Sequence, residues 1–133
     1  MILVDSNIPM YLTGAPHPLK TDARLLLERS IAAGERIVTD AEVLQEILHR
    51  YTAIQRRDAI APTLAALLDF ADEVYPIDPA DVLRAAAIVQ DPAGMSARDA
   101  LHLAVMERHK IDRILSFDKD FDRWPGITRV FSV

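Results

Sequence analysis

The sequence contains no cysteine. That absence removes disulfides, thiolate zinc sites and cysteine nucleophiles together, and it is compatible with a reducing cytoplasm. No segment is low-complexity, repetitive or linker-like, which argues against disorder and against a second domain. No stretch approaches the roughly 18 consecutive apolar residues of a membrane span. The opening Met1-Ile2-Leu3-Val4-Asp5 has no basic flank, and its apolar run ends after Val4. A chain without a signal peptide or membrane anchor, working in the cytoplasm, is therefore expected. Basic residues are also short: 15 Lys and Arg against 20 Asp and Glu leave a formal net charge of −5. Proteins that grip nucleic acid over a broad surface are usually basic. A carboxylate cluster built for metal would, however, make the bare chain acidic by itself, and bound cations would invert the local charge.

What is present is 133 residues, half of them hydrophobic, enough for one domain over 1–133 with a sizeable core. Ile2-Leu3-Val4 reads as a buried strand, followed by good helix-capping types at Asp5-Ser6-Asn7. A helix is expected over 17–33, ended by Gly34, and a second strand at Arg36-Ile37-Val38. Thr39-Asp40-Ala41-Glu42 matches a capping box and opens a helix to about Tyr51. Residues 53–71 are helical in composition, with Pro62 marking either a break or the first turn of a new helix. A strand at Val74-Tyr75-Pro76, a helix from Asp78-Pro79 to Gln90, and a loop at Asp91-Pro92-Ala93-Gly94 follow. Ser96-Ala97-Arg98-Asp99 is a second capping-box pattern, opening a helix to about His109. Arg113-Ile114-Leu115 and Arg129-Val130-Phe131 complete five strands, with a helical turn at 118–121 between them. Short apolar strands alternating with helices predict an α/β/α sandwich around a mostly parallel five-stranded sheet.

In such sheets ligands bind beyond the carboxyl ends of the strands. Asp5 directly follows the first strand, and Asp118 lies three residues past Leu115. Asp99 opens the helix before that strand, and Glu46 lies in the helix after the second. Each has a plain alternative. Asp5, Asp99 and Asp118 also suit helix caps, and Glu46 lies nearly opposite a face of Leu44, Ile47, Leu48 and Tyr51, where a solvated glutamate is ordinary. Glu42 competes locally with Glu46, and Asp120 and Asp122 sit close to Asp118. If the four carboxylates converge, hard-oxygen chemistry follows, because carboxylates are the ligands that suit Mg²⁺ and Mn²⁺. Each like-charge pair at about 4 Å costs about 4 kcal/mol at an effective dielectric near 20, and a cation turns that repulsion into a clamp. His102, three residues after Asp99, can line such a site, although a lone helix histidine is more often structural. His17, His49 and His109 share no metal-like spacing with the acids, and Tyr11, Tyr51, Phe70, Phe121 and Trp124 read as core or interface.

Four segments together resemble the PIN-domain family. They are Ile2-Leu3-Val4-Asp5-Ser6-Asn7, Val38-Thr39 through Gln45-Glu46-Ile47-Leu48, Ser96-Ala97-Arg98-Asp99-Ala100-Leu101-His102-Leu103-Ala104, and Ile114-Leu115-Ser116-Phe117-Asp118-Lys119-Asp120-Phe121. They occur in the family's order and span nearly the whole chain; Ser116 stands where many members have threonine. The resemblance implies a metal-dependent ribonuclease in which Asp5, Glu46, Asp99 and Asp118 hold Mg²⁺ or Mn²⁺ and Ser6, Asn7 and Ser116 orient them. Arg98 and Lys119 are then candidates for holding phosphates, with Arg50, Arg56 and Arg57 as a nearby basic patch. The chain's length is similar to that of VapC-type toxins, which implies a homodimer, a small VapB-type antitoxin as partner and RNA as substrate. An apolar helix face such as Leu64, Leu67, Leu68 and Ala71 can bury a partner. RNA processing outside toxin–antitoxin biology, or a non-catalytic PIN-like module, are the alternatives. A phosphotransfer domain fits poorly: the haloacid-dehalogenase pattern wants a second aspartate two residues after Asp5, and position 7 is Asn. A response-regulator receiver wants an acidic pair near the end of the first strand, which Asp5-Ser6-Asn7 does not supply.

Overall fold

In a strand, three consecutive apolar residues can all be buried only where both faces of the sheet are covered. Ile2, Leu3 and Val4 are each 0% exposed and form β1 (Ile2–Val4). The structure, a computed structural model, describes residues 1–132. Around β1 stand β2 (Ile37–Asp40), β3 (Glu73–Tyr75), β4 (Arg113–Leu115) and β5 (Thr128–Val130). The order is β3-β2-β1-β4-β5, and every pairing is parallel. The helices are α1 (Asn7–Thr13), α2 (Pro18–Ala32), α3 (Ala41–Ala53), α4 (Ile60–Phe70), α5 (Pro79–Ile88) and α6 (Ala97–Arg108). Short 3-10 segments lie at Arg57–Ala59 and Lys119–Arg123.

Side-chain alternation along the strands builds two cores from one sheet. Leu3, Val38 and Ile114 face α5 and α6, packing with Ala85, Ile88, Ala100, Leu103 and Met106. Ile2, Val4, Ile37 and Leu115 face the other way, against Ile8, Ala23, Leu26 and Leu27 of α1 and α2. A third cluster of Val43, Ile47, Tyr51 and Leu67 joins α3 to α4. Burying each such Leu, Ile or Val side chain contributes about 1.5–3 kcal/mol. Helices on both faces of a parallel sheet are the predicted sandwich.

The local expectations hold with four corrections. Thr39 does not cap α3: it ends β2, its hydroxyl donates to the Val4 carbonyl at 3.0 Å, and Asp40 is the cap, accepting from Val43 N at 2.9 Å. Asp5 does not cap α1 either; Ser6 occupies that boundary and makes no side-chain cap bond. Leu48 is 49% exposed, because α3 packs through the i, i+4 stripe of Val43, Ile47 and Tyr51 and leaves it at the edge. The helical composition of 53–71 resolves into the end of α3, a turn with Gln55 at φ 58°, the first 3-10 segment and α4, whose first turn accommodates Pro62.

This topology fixes where a site can form. From β1 the chain builds outward through β2 and β3, then returns to β1's other side for β4 and β5. The segments leaving the carboxyl ends of β1 and β4 therefore diverge and open a crevice between them. Among the described residues no helix is long and apolar enough to cross a membrane.

Candidate active site

All four predicted carboxylates lie in that crevice. Asp5, Glu46, Asp99 and Asp118 line one groove of about 760 Å³. They come from the end of β1, the second turn of α3, the first turn of α6 and the loop after β4. Ligand atoms of Asp5, Glu46 and His102 lie within 4.8 Å of one another, and those of Asp99, Asp118 and Asp120 form a second such group. Asp120 thus joins the cluster. Glu42 does not line the groove, and Asp122 is turned away onto Arg129 at 2.9 Å.

The three predicted supporting residues hold the acids. Ser116 Oγ, wholly buried, donates to Asp5 Oδ2 at 2.6 Å. The same hydroxyl oxygen accepts from Asn7 Nδ2 at 3.2 Å and from Asp118 N at 3.0 Å, so it ties β1's acid to β4's. Asp5 Oδ1 accepts from Ser6 N at 2.8 Å, and Ser6 Oγ donates to Glu46 Oε2 at 2.7 Å. Asn7 Oδ1 accepts from Phe117 N at 3.3 Å. Asp118 also caps the 3-10 turn after it, accepting from Asp120 N at 2.9 Å. Asp99 follows the cap of α6, where Ser96 Oγ accepts its backbone N–H at 3.2 Å. Capping and site membership are thus not exclusive.

Two residues of the network did not figure in the predicted set. His102 is wholly buried, with Nδ1 2.8 Å from Asp40 Oδ2 and Nε2 2.6 Å from Glu46 Oε1. Asp40, also wholly buried, serves as a cap with one oxygen and as the histidine's partner with the other. A signal for His102 existed: it stands one turn after Asp99, and i, i+3 residues share a helix face. Of the predicted phosphate binders, Arg98 lines the groove, whereas Lys119 is exposed outside it. Arg50 lines it too, while Arg56 is tied to Asp58 at 3.1 Å. Tyr11, read from the sequence as core or interface, is half-buried on the groove wall, edge-on to Phe117.

The electrostatics show what such crowding costs. Burial, together with the charges of Asp118 and Asp5, pushes the Asp99 carboxyl up to about 7. Burial also raises Asp5 above the usual carboxylate range, against the pull of His102. Burial opposes ionisation of Glu46 as well, but the hydrogen bond and charge of His102 outweigh it and hold this carboxyl low. His102 is desolvated, yet Asp40 and Glu46 raise it well above the ordinary imidazole range. Both its partners are carboxylates, which only accept, so protonation of both ring nitrogens satisfies the chain. A set of oxygen donors that hold protons and an imidazolium among themselves fits a hard divalent cation.

A parallel sheet in this order, with carboxylates from four segments at its switch point, defines a PIN domain. The PIN-domain profile matches residues 2–127, and the chain belongs to that family. Within it the chain belongs to the VapC ribonucleases: it is 58% identical to ribonuclease VapC13 of Mycobacterium tuberculosis over 130 residues, 98% of this chain and 99% of the relative. The fold is similar to that of VapC20 of the same organism, a sarcin–ricin loop cleaving toxin (TM-score 0.69, 23% identity, 92% and 93% of the two chains). It is also similar to a chain of a toxin–antitoxin complex from Klebsiella pneumoniae (TM-score 0.69, 21% identity, 96% of each chain).

Proposed function

We propose that this chain is the ribonuclease toxin of a VapBC-type toxin–antitoxin pair, acting in the cytoplasm with Mg²⁺ or Mn²⁺ held by Asp5, Glu46, Asp99 and Asp118. The observation that carries the reading is the convergence of those acids in one groove at the sheet's switch point. The names of the VapC relatives support RNA as the substrate. The Klebsiella complex supports an antitoxin partner. A homodimer is part of the same reading.

A bound divalent cation would neutralise charge on the scissile phosphate and supply a nucleophile at neutral pH. The chain's own residues do the rest. Ser116 and Ser6 fix the directions of Asp5 and Glu46 through hydrogen bonds of 2.6 and 2.7 Å, so little reorganisation is needed when substrate arrives. Without a cation, burial and the charges of Asp118 and Asp5 push the Asp99 carboxyl up to about 7, so a cation bound there at neutral pH would displace a proton from it. Arg98 and Arg50, on the rim of the same groove, are placed to hold phosphates flanking the cut. Two arginines cannot support tight binding of a long duplex. A groove with an aromatic wall at Tyr11 suits unpaired RNA, whose bases can turn outward.

Induced expression of the parent and of Asp5→Ala, with sequencing of RNA ends in both cultures, tests this. Growth arrest and discrete new RNA ends are expected in the parent alone. Equal arrest with Asp5→Ala, or no new ends from soluble, folded parent protein, would refute it.

A further inference from the structure

Glu46 is held at both carboxylate oxygens before any ligand arrives. Oε2 accepts the Ser6 hydroxyl at 2.7 Å, and Oε1 lies 2.6 Å from His102 Nε2. The histidine is itself anchored: Nδ1 lies 2.8 Å from Asp40 Oδ2, while Asp40 Oδ1 accepts the backbone N–H of Val43 at 2.9 Å. His102 stands on α6, and it therefore grips α3 twice, at the helix cap and at the site carboxylate in the second turn. His102 and Asp40 are 0% exposed, so neither touches solvent or RNA. A histidine needed only to fill the core or to satisfy Asp40 would require one bond. The second is aimed at the groove.

We propose that His102, anchored by Asp40, is a positioning residue that fixes the Glu46 carboxylate relative to Asp5 and Asp99. A glutamate side chain has large rotamer freedom, and holding it in one direction in advance removes an entropy cost from ligand capture. The bond also occupies a lone pair on Oε1, so Glu46 cannot present both oxygens freely to one cation. Removal of a partner that orients a ligating carboxylate typically lowers metal affinity or activity about 10–100-fold. The role rests on the nuclease reading of Glu46 above, and metal affinity measured without RNA separates the two.

Two substitutions split the histidine's bonds. In His102→Asn the amide nitrogen stands near Nδ1 and keeps Asp40 but loses Glu46. In His102→Gln it stands near Nε2 and keeps Glu46 but loses Asp40. Calorimetric titration with Mn²⁺ is expected to show a loss of about 10–100-fold for His102→Asn and no more than about threefold for His102→Gln. The cleavage rate on total RNA should follow the same order at saturating RNA, with KM nearly unchanged, while melting temperature falls in both. On a Glu46→Gln background, His102→Asn should cost no further Mn²⁺ affinity. Equal Mn²⁺ affinities in parent and both variants, a larger loss in His102→Gln, or an undiminished effect on the Glu46→Gln background would each overturn the proposal. If His102→Asn does not fold, Asp40→Asn replaces it, with several-fold weaker Mn²⁺ binding expected and parent affinity overturning. Ordered Mn²⁺ affinities in a protein that cuts no RNA would uphold the positioning role and refute the nuclease reading.

Discussion

Replacing Asp99 by asparagine should stabilise the metal-free protein while abolishing its activity. The asparagine keeps the volume and removes the charge. In the parent, burial and the neighbouring Asp118 and Asp5 push the Asp99 carboxyl from 3.8 up to about 7. That displacement is roughly 3 units, and at 1.36 kcal/mol per unit it sets a ceiling of about 4 kcal/mol on the cost of ionising the group in the fold. Because the carboxylate borders an open groove, water screens part of the repulsion, and about 2 kcal/mol is the better figure. For a domain of this size that corresponds to a melting temperature higher by roughly 6–10 °C.

The sign fixes the pH window. The folded carboxyl lies above its unfolded value, so the folded state binds the extra proton. The stability this lends is complete below about pH 4 and is lost as pH rises through about 7. Asparagine has no such loss. The difference between Asp99→Asn and parent should therefore be full at about pH 8 and fall below half at about pH 5. Added Mn²⁺ should reverse the order, since a ligand that binds only the folded parent raises its stability by mass action. Thermal melts at the two pH values, in chelator and in Mn²⁺, read all of this. If Asp99→Asn melts below the parent at about pH 8 in chelator, or if the gap ignores pH, the account of crowded carboxylates is wrong.

Two further outcomes follow from the contacts around the cluster. Ser116→Ala leaves Asp5 Oδ2 with only Asn7 Nδ2 at 3.4 Å; a stability loss of about 1–3 kcal/mol and a cleavage rate lower by about 10–100-fold are expected, with Ser116→Thr much closer to the parent, as melting and single-turnover assays will show. Arg50→Glu should weaken binding of a single-stranded oligoribonucleotide and lower the magnitude of its salt slope by about 0.7 or more, measured by fluorescence anisotropy across a salt series; an unchanged slope would remove Arg50 from the phosphate path.

What the sequence disclosed and what it hid divide along a physical line. Ile2-Leu3-Val4 announced a strand buried on both faces, and the acid that follows it had to emerge at the sheet's carboxyl edge, because a strand has only one such end. Asp118 and Asp99 were legible for the same reason: strand ends and helix starts are local events. Glu46 was harder, since a helix position has no privileged end, and its neighbour Leu48 was misplaced on the buried face. That error has a cause: α3 meets α4 along a narrow i, i+4 stripe, and its width depends on where α4 lands, which no local pattern of α3 encodes. Asp40 and His102 are the deeper case. Asp40 stood in the sequence only as the second residue of a capping box opened by Thr39, and the oxygen that meets His102 connects residues 62 positions apart. Yet the two functions of Asp40 constrain each other. A cap fixes one oxygen on the Val43 N–H and so fixes where the other points, and in that wholly buried position a donor from α6, His102, meets it. The sequence offered Thr39 as the cap; the tertiary fold makes Asp40 both cap and anchor, and through His102 it carries the order of the α3 N-terminus into the metal-suited groove.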